Sequence, residues 1–574
     1  MITKMTRYDF IMLAEQGEAF IQDISALGLV DITRSSKPVD ETSIALLAEA
    51  DRLKERITLL KNKRYEGDST YAALAEKVKD AKKDYEQCQP WGAFDKEKLE
   101  LIFGGRLRYY LCDKKKFQEE WALAVCQDDG KNVWFVSEEE VAAPAKSVVA
   151  PKFGLQQAQA ALDTAQKALQ EREEALNAED IAALEACYQE KMRALDTYLA
   201  GAAAENAVED KLCIYTGFAP LAQQQALCES FEKMDVLYLA TEAKLEDNPP
   251  IHLKNNSFVK QFEPLTEMYG VPVYNEFDPT VFLSIFFLLF FAMCMGDAGY
   301  GIILIIAGLL MKGKEGGLAK MHGLITTLGV GTTIVGFFMG GFFGINLAEQ
   351  SWVPDALKSV MLTGEVTVIG RPFALQMIIA LGIGVFHLCL AFIVKTVYAI
   401  KKNGLKNSLS TLGWTLLIVG SVLVFAAGML FNLSEEAIKW TIIAIAGISA
   451  LGIYVFNTWG RNPLVNIGSG LWDTYSMASG LMGDVLSYIR LYALGLSGGM
   501  LGSTFNQLAG TVKDCGIPGL DWAGFILIAL LGHVLNIAMS CLGAFVHPLR
   551  LNFVEFFQNS DYEGRGSKYK PLKK

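Results

Sequence analysis

From residue 280 onward the sequence is a series of apolar runs, at about 281–311, 324–347, 373–398, 409–431, 439–457, 469–509 and 521–557. The longer ones exceed the roughly 20 residues a helix needs to cross a bilayer, and that constrains them to be helices. Before residue 280 the character reverses: the chain is charged and rich in Ala, Glu, Lys and Gln. With 574 residues and 51% apolar content, it is too long for one domain and too apolar to be wholly soluble. The expectation is a soluble domain over 1–279 and a transmembrane domain over 280–574. A net charge of −11, with no cluster of basic and aromatic residues, argues against nucleic acid as a partner.

Within the soluble half, residues 41–90 are helical by pattern, because Leu46, Ala50, Leu53, Ile57 and Leu60 are spaced 4, 3, 4 and 3 apart. Residues 155–200 place Leu155, Leu162, Leu169 and Leu176 at seven-residue intervals. Two such stripes can bury each other. Between them, a segment near 100–140 reads as strands: Leu101-Ile102-Phe103, Arg106 to Leu111, Trp121 to Val125 and Val133 to Val136. This predicts an antiparallel two-helix coiled coil with an α/β lobe at its far end. A second lobe, near 1–40 plus 212–245, sits at its base. A homodimeric coiled coil is the competing arrangement. The ten cysteines have no metal-ligand spacing and read as reduced thiols, and Met1 to Phe10 lacks the apolar core of a signal peptide. The soluble half and the C-terminal tail are therefore expected in the cytoplasm, at a prokaryotic plasma membrane. No Gly-x-x-x-x-Gly-Lys-Thr/Ser phosphate loop occurs, and neither a cofactor nor a metal site is expected.

Seven single crossings would set the basic loops at Lys312/Lys314/Lys320 and Lys401/Lys402/Lys406, Arg461 and the lysine-rich tail against the soluble half. One more reversal resolves the conflict. Met295-Gly296-Asp297-Ala298-Gly299-Tyr300-Gly301 suits a tight turn between short helices at about 281–295 and 300–311, giving about eight membrane helices, the last two long. Asp297 reads as a turn residue, and Gly336 to Gly344 as a helix-packing surface. His387 reads as a satisfied interior residue.

In the run 471–508 stands Arg490, with apolar sequence for more than two turns on either side. A central arginine costs roughly 2.5–3.5 kcal/mol to insert and cannot escape by losing its proton. Such a residue marks an ion path, a buried anion or a counter-ion, the competing reading being a side chain that snorkels from a helix end. Near it lie Asp484, Ser487 and Tyr488, and further along Asn506 and Gln507. The final run adds His533, Asn536, Ser540 and His547, spaced to share one helical face, and then Arg550 and Glu555. A polar stripe in a membrane faces a bundle interior or water, as an aqueous half-channel requires.

Ser487-Tyr488-Ile489-Arg490-Leu491-Tyr492-Ala493-Leu494 resembles the signature of the a subunit (subunit I) of V-type and A/V-type rotary ATPases. Gly296 to Gly301 is similar to that family's first hairpin motif. Thr216-Gly217-Phe218-Ala219-Pro220 resembles its Gly-Trp-x-Pro turn, and Asn248-Pro249-Pro250 through Asp278-Pro279-Thr280 its linker. The resemblance implies a non-catalytic membrane stator, whose essential arginine faces a ring of small subunits that each carry a mid-membrane carboxylate. It also implies H⁺ or Na⁺ crossing by two offset half-channels, and docking of peripheral-stalk and central-stalk socket subunits on the soluble lobes. Arg550 is similar to the family's second arginine. The half-channel candidates are Asp484, Ser487, Tyr488, Asn506, Gln507, His533, Asn536, Ser540, His547 and Glu555. Two positions depart from the pattern: Ser540 stands where many members have glutamate, and Gly498 where many have histidine. A secondary ion transporter with a regulatory coiled-coil domain is the alternative, although no second copy of the Arg490 region is present.

Overall fold

The computed structural model describes residues 2–34, 39–62, 65–91, 101–102, 107–128, 130–141, 143–149, 154–207, 211–234, 236–313, 321–368, 371–431, 434–456, 463–513 and 520–573. Lys314, Lys320, Arg461, Phe103 and Arg106, which the sequence reading used, lie outside them. The chain forms two compact units, one of residues 10–216 and 571–574, the other of 1–9 and 217–570.

Strand β1 (Met5–Leu13) runs into the first of these units, where helix α1 (Gly17–Leu27) and strand β2 (Asp31–Ile32) follow it. Helices α2 (Glu41–Asn62) and α3 (Ser69–Cys88) then lead to a four-stranded sheet built from β3 (Arg108–Asp113), β4 (Ala124–Asp128), β5 (Asn132–Ser137) and β6 (Lys146–Ser147), in the order β4-β5-β3-β6. Helices α4 (Leu155–Asn177) and α5 (Ile181–Ala202) return. Helix α2 packs on α5, and α3 on α4. Each long helical stretch read from the heptads is thus two helices, broken near 65–68 and 178–180.

The breaks have a chemical cause. Asp68 caps α3 by accepting the Tyr71 amide at 2.9 Å, and its other carboxylate oxygen takes Arg56 at 2.6 Å and Arg172 at 3.0 Å. Arg56 also forks onto Glu179, so the two breaks are held side by side by one charge network. Burial pushes the Asp68 carboxyl up, but the hydrogen bonds from Arg56, the Tyr71 amide and Arg172 outweigh it and hold that carboxyl well below the usual range.

Two strand expectations fail here. Leu101 and Ile102 are helical, with 88% and 69% of their surface exposed: β-prone side chains do not make a strand without a pairing edge. Residues 119–121 form a 3₁₀ turn, and the strand begins only at Ala124. The segment Thr216 to Pro220 is also no turn. It completes strand β8 (Leu212–Pro220), with Phe218 buried. Strand β8 takes β7 (Glu205–Ala207) at its side, and strand β9 (Leu237–Glu242) follows helix α6 (Gln224–Lys233).

In the second unit the apolar helices follow one another: α7 (Thr280–Met295), α8 (Ala298–Met311), α9 (His322–Met339), α10 (Leu375–Asn407), α11 (Leu409–Phe431), α12 (Glu435–Ala450), α13 (Pro463–Lys513) and α14 (Leu520–Arg550). Among the described residues five helices are long and apolar enough to cross a membrane, and α7 and α8 are shorter apolar helices. The chain reverses at Gly296, whose φ of 59° only glycine adopts cheaply. Helix α9 packs between the two arms: Gly331 lies against Leu288 of α7, and Gly329 and Gly301 bring the backbones of α8 and α9 together.

The stretch Gly336 to Gly344 serves two purposes. Gly336 packs against the backbone of Ala298, but the helix ends at Met339, and the remainder forms a small hairpin, Gly341–Phe342 against Ile345–Asn346. The last helix runs into a π-helical turn, Leu551–Phe556, just after Pro548, which has no amide hydrogen to continue the ladder. The tail then returns to the linker: Ile251 pairs with Lys568, and Val271 with Gly566.

Candidate ion-translocation site

Helices α13 and α14 pack antiparallel, and their register assembles the site. Asn506 lies opposite His533, Gly498 opposite Asn536, Leu494 opposite Gly543, and Asp484 opposite Asn559 beyond the π turn. Asp484 and Asn506 are separated by about 33 Å at an α-helical rise of about 1.5 Å per residue. The polar residues therefore fall into two groups, with Arg490 between them.

At the Asn506 end, His533 Nε2 is 3.0 Å from Asn506 Oδ1, and its Nδ1 is 2.9 Å from the Tyr300 hydroxyl. Asn536, fully buried, donates to the Tyr300 oxygen at 2.8 Å and to the Gly498 carbonyl at 2.9 Å, and accepts from Ser540 at 3.3 Å. A cavity of about 580 Å³ opens beside this group, lined among others by Gly344, Ser503, Asn506 and Gln507. Asp297 also lines it, but its carboxylate is committed: it accepts the amides of Gly299, Tyr300, Phe343 and Gly344 at 2.8–3.2 Å, capping α8 and clamping the hairpin. Gly344 has φ 70°, and a Cβ there would sit 2.4 Å from the Gly502 backbone, so hairpin and α13 touch main chain to main chain.

At the other end, Asp484 accepts from Asn559 at 2.7 Å. Tyr488 is buried, and its hydroxyl meets His387 Nδ1 at 2.9 Å. His387 is stacked on Phe556 and fully enclosed, yet its Nε2 has no partner among the described residues, so it is satisfied there on one side only. The Oε2 of Glu555 and the Oδ1 of Asn552, both in the π turn, are likewise buried with no hydrogen-bond partner among the described residues. Glu555 Oε1 lies 3.8 Å from the Nε of Arg550, whose side chain is 54% exposed while that of Glu555 is 2% exposed.

Arg490 itself is half-buried on α13, and among the described residues it forms no hydrogen bond or ion pair. The two arginines thus differ: one has a carboxylate of its own chain, and the other has none among the described residues. Ser487 bonds the Gly483 carbonyl of its own helix and interacts with Glu555, Gln507 is exposed at the cavity, and His547 lies in the field of both Arg490 and Arg550. Sequence reasoning missed Tyr300. Its only signal is a polar aromatic inside a short apolar helix, within the Gly296 to Gly301 motif.

Residues 124–345 match the V-type ATPase 116kDa subunit family. The chain is similar to an A-type ATP synthase subunit I of Methanocaldococcus jannaschii, 32% identical over 350 residues, which is 57% of this chain and 49% of that protein. A V-type ATP synthase subunit I of Borreliella burgdorferi is 29% identical over 372 residues, 62% of this chain and 60% of that protein. Another, of Chlamydia pneumoniae, is 24% identical over 647 residues, 98% of this chain and 91% of that protein. The chain spans about half the length of the A-type relatives it matches, 49% and 48% in two cases. These likenesses over both halves, with the Arg490 segment in place, support a subunit I of a V-type or A-type ATPase.

Proposed function

We propose that this chain is the multi-pass membrane stator of a rotary ATPase, and that Arg490 faces a rotor ring whose mid-membrane carboxylates it discharges. The observation that carries the reading is a guanidinium with no carboxylate partner among the described residues, half-buried on α13 between two separate polar groups. Desolvation makes a carboxylate in hydrocarbon hold its proton or cation, and a nearby guanidinium reverses that preference. Lysine is a poor substitute, because a buried ammonium can neutralise.

On this reading the Asp484–Glu555 group and the Asn506–His533 group each belong to one of two half-channels. Their offset along α13, with a fixed cation between them, gives transport a direction and blocks a straight leak, each transferred charge feeling about 2.3 kcal/mol per 100 mV. The helical pairs of the soluble domain are then the docking arm for peripheral-stalk and central-stalk socket subunits, and nucleotide chemistry belongs to another subunit. The test is ATP-driven ion uptake by the purified complex in vesicles. Arg490→Ala is expected to abolish uptake while the complex still assembles, and retained coupled uptake refutes the role.

A further inference from the structure

We propose that protons cross the half-channel at the Asn506 end by relay through the His533 imidazole and the Tyr300 hydroxyl, an inference that rests on the rotary reading above. The hydrogen-bond directions in this group follow one from another. Asn506 Nδ2 donates to the Phe343 carbonyl at 2.8 Å, so its Oδ1 is the atom turned to His533 Nε2. An amide oxygen only accepts, and Nε2 therefore carries the hydrogen. In the neutral ring the lone pair is then on Nδ1, where it accepts from the Tyr300 hydroxyl. The Tyr300 oxygen in turn accepts from Asn536, which is held at its other hydrogen by the Gly498 carbonyl.

Within this group the His533 imidazole is the side chain that can accept a proton on one edge and donate one on the other. Asp297 is spent on four backbone amides. The two positions that depart from the family pattern face each other, since a Cβ on Gly498 would lie 3.1 Å from Ser540 Oγ, and neither residue titrates. A protonatable pair is thus absent there as a pair, and His533, two turns along the same face of α14, is the titratable side chain of the network. It is half-buried, one hydrogen bond from the cavity-lining Asn506, while its partner Tyr300 is buried.

The step balances. A protonated rotor carboxyl, or a water on that side, gives a proton to the Tyr300 oxygen as the phenol's own hydrogen passes along its existing hydrogen bond to His533 Nδ1, leaving an imidazolium. Nε2 then releases its hydrogen to a water that takes the place of Asn506 Oδ1 and leads to the cavity. One proton enters at the phenol, one leaves from the imidazole, both rings end neutral, and a flip of the imidazole restores the starting tautomer.

The experiment is ATP-driven proton uptake by the assembled complex in vesicles, for the wild type, His533→Ala, His533→Gln, Tyr300→Phe and, as a control on the reading itself, Arg490→Ala. Both His533 variants are expected to lose at least about tenfold in uptake. Added imidazole is expected to restore part of the loss in His533→Ala and none in His533→Gln, which keeps a donor towards Asn506 but cannot shuttle a proton. Tyr300→Phe is expected to lose several-fold. Uptake within twofold of wild type in His533→Gln, with Arg490→Ala inactive, overturns the relay and leaves the rotary reading standing. Uptake in Arg490→Ala as well overturns the reading. Protonophore-resistant sodium uptake by the wild type also overturns the relay.

Discussion

Asp68 in the first unit and Arg490 in the second are both charges partly or wholly withdrawn from water, and the chain treats them in opposite ways. Asp68 is met by two arginines of its own chain and a backbone amide, at the point where two pairs of helices break. Arg490, half-buried, meets no carboxylate among the described residues. A charge kept for architecture arrives with its partners, since an unpaired buried ion costs several kcal/mol. A charge left without one is carried at a cost that only a partner outside the chain offsets. Arg550 is intermediate: it has Glu555 at 3.8 Å, but more than half of its side chain is exposed.

That contrast can be broken by substitution. The largest functional effect is expected at Arg490, where alanine removes all coupled uptake and leaves the melting temperature of the assembled complex within about 2 °C, because no intrachain pair is lost. A large drop in melting temperature would move Arg490 to the architectural side. Next comes Glu555→Gln, which keeps shape and removes charge from a buried carboxylate with one unpartnered oxygen. If Glu555 carries ions at the Asp484 end, uptake falls by about tenfold. If it serves only to hold Arg550, uptake is unchanged.

At Asp68 the expectation reverses. Asp68→Ala strands Arg56 and Arg172 and costs about 3 kcal/mol of the first unit's stability, the low end for a buried pair because both arginines are partly exposed. Uptake per assembled complex stays the same. The pH dependence sharpens this. The folded Asp68 carboxyl is held below its unfolded value, so its contribution is fully present above about pH 4 and is lost as pH falls through the folded value. Denaturant midpoints of wild type and Asp68→Ala should therefore converge as the solution is acidified, and a constant gap would contradict the assignment.

Much of the second unit was legible in the sequence because a bilayer admits few backbones. The apolar runs, the turn at Gly296 and the spacing of His533, Asn536 and Ser540 along one face all follow from period and length. What stayed hidden depended on distant chain. Tyr300 reaches His533 across 233 positions, and no local pattern marks it as the link between His533 and Asn536. The breaks in the helical stretches hid for a similar reason: the heptad spacing continues up to Leu60 and Leu176, and only the meeting of Asp68, Arg56, Arg172 and Glu179 explains why both stretches stop together. Leu101 and Ile102 misled in the other direction, since strand propensity is a statement about a pairing surface that these residues lack.

The central claim is that the free guanidinium of α13 meets a second polypeptide. The direct measurement places cysteine at position 490 and at mid-helix positions of the small copurifying membrane subunit, beside its carboxylate, and follows disulfide formation in the assembled complex under mild oxidation. The account predicts a 490-to-ring cross-link that stops ATP-driven rotation and is released by reductant. Cross-links from position 490 only to helices of its own chain, or reaction only with lipid-phase reagents, would contradict it.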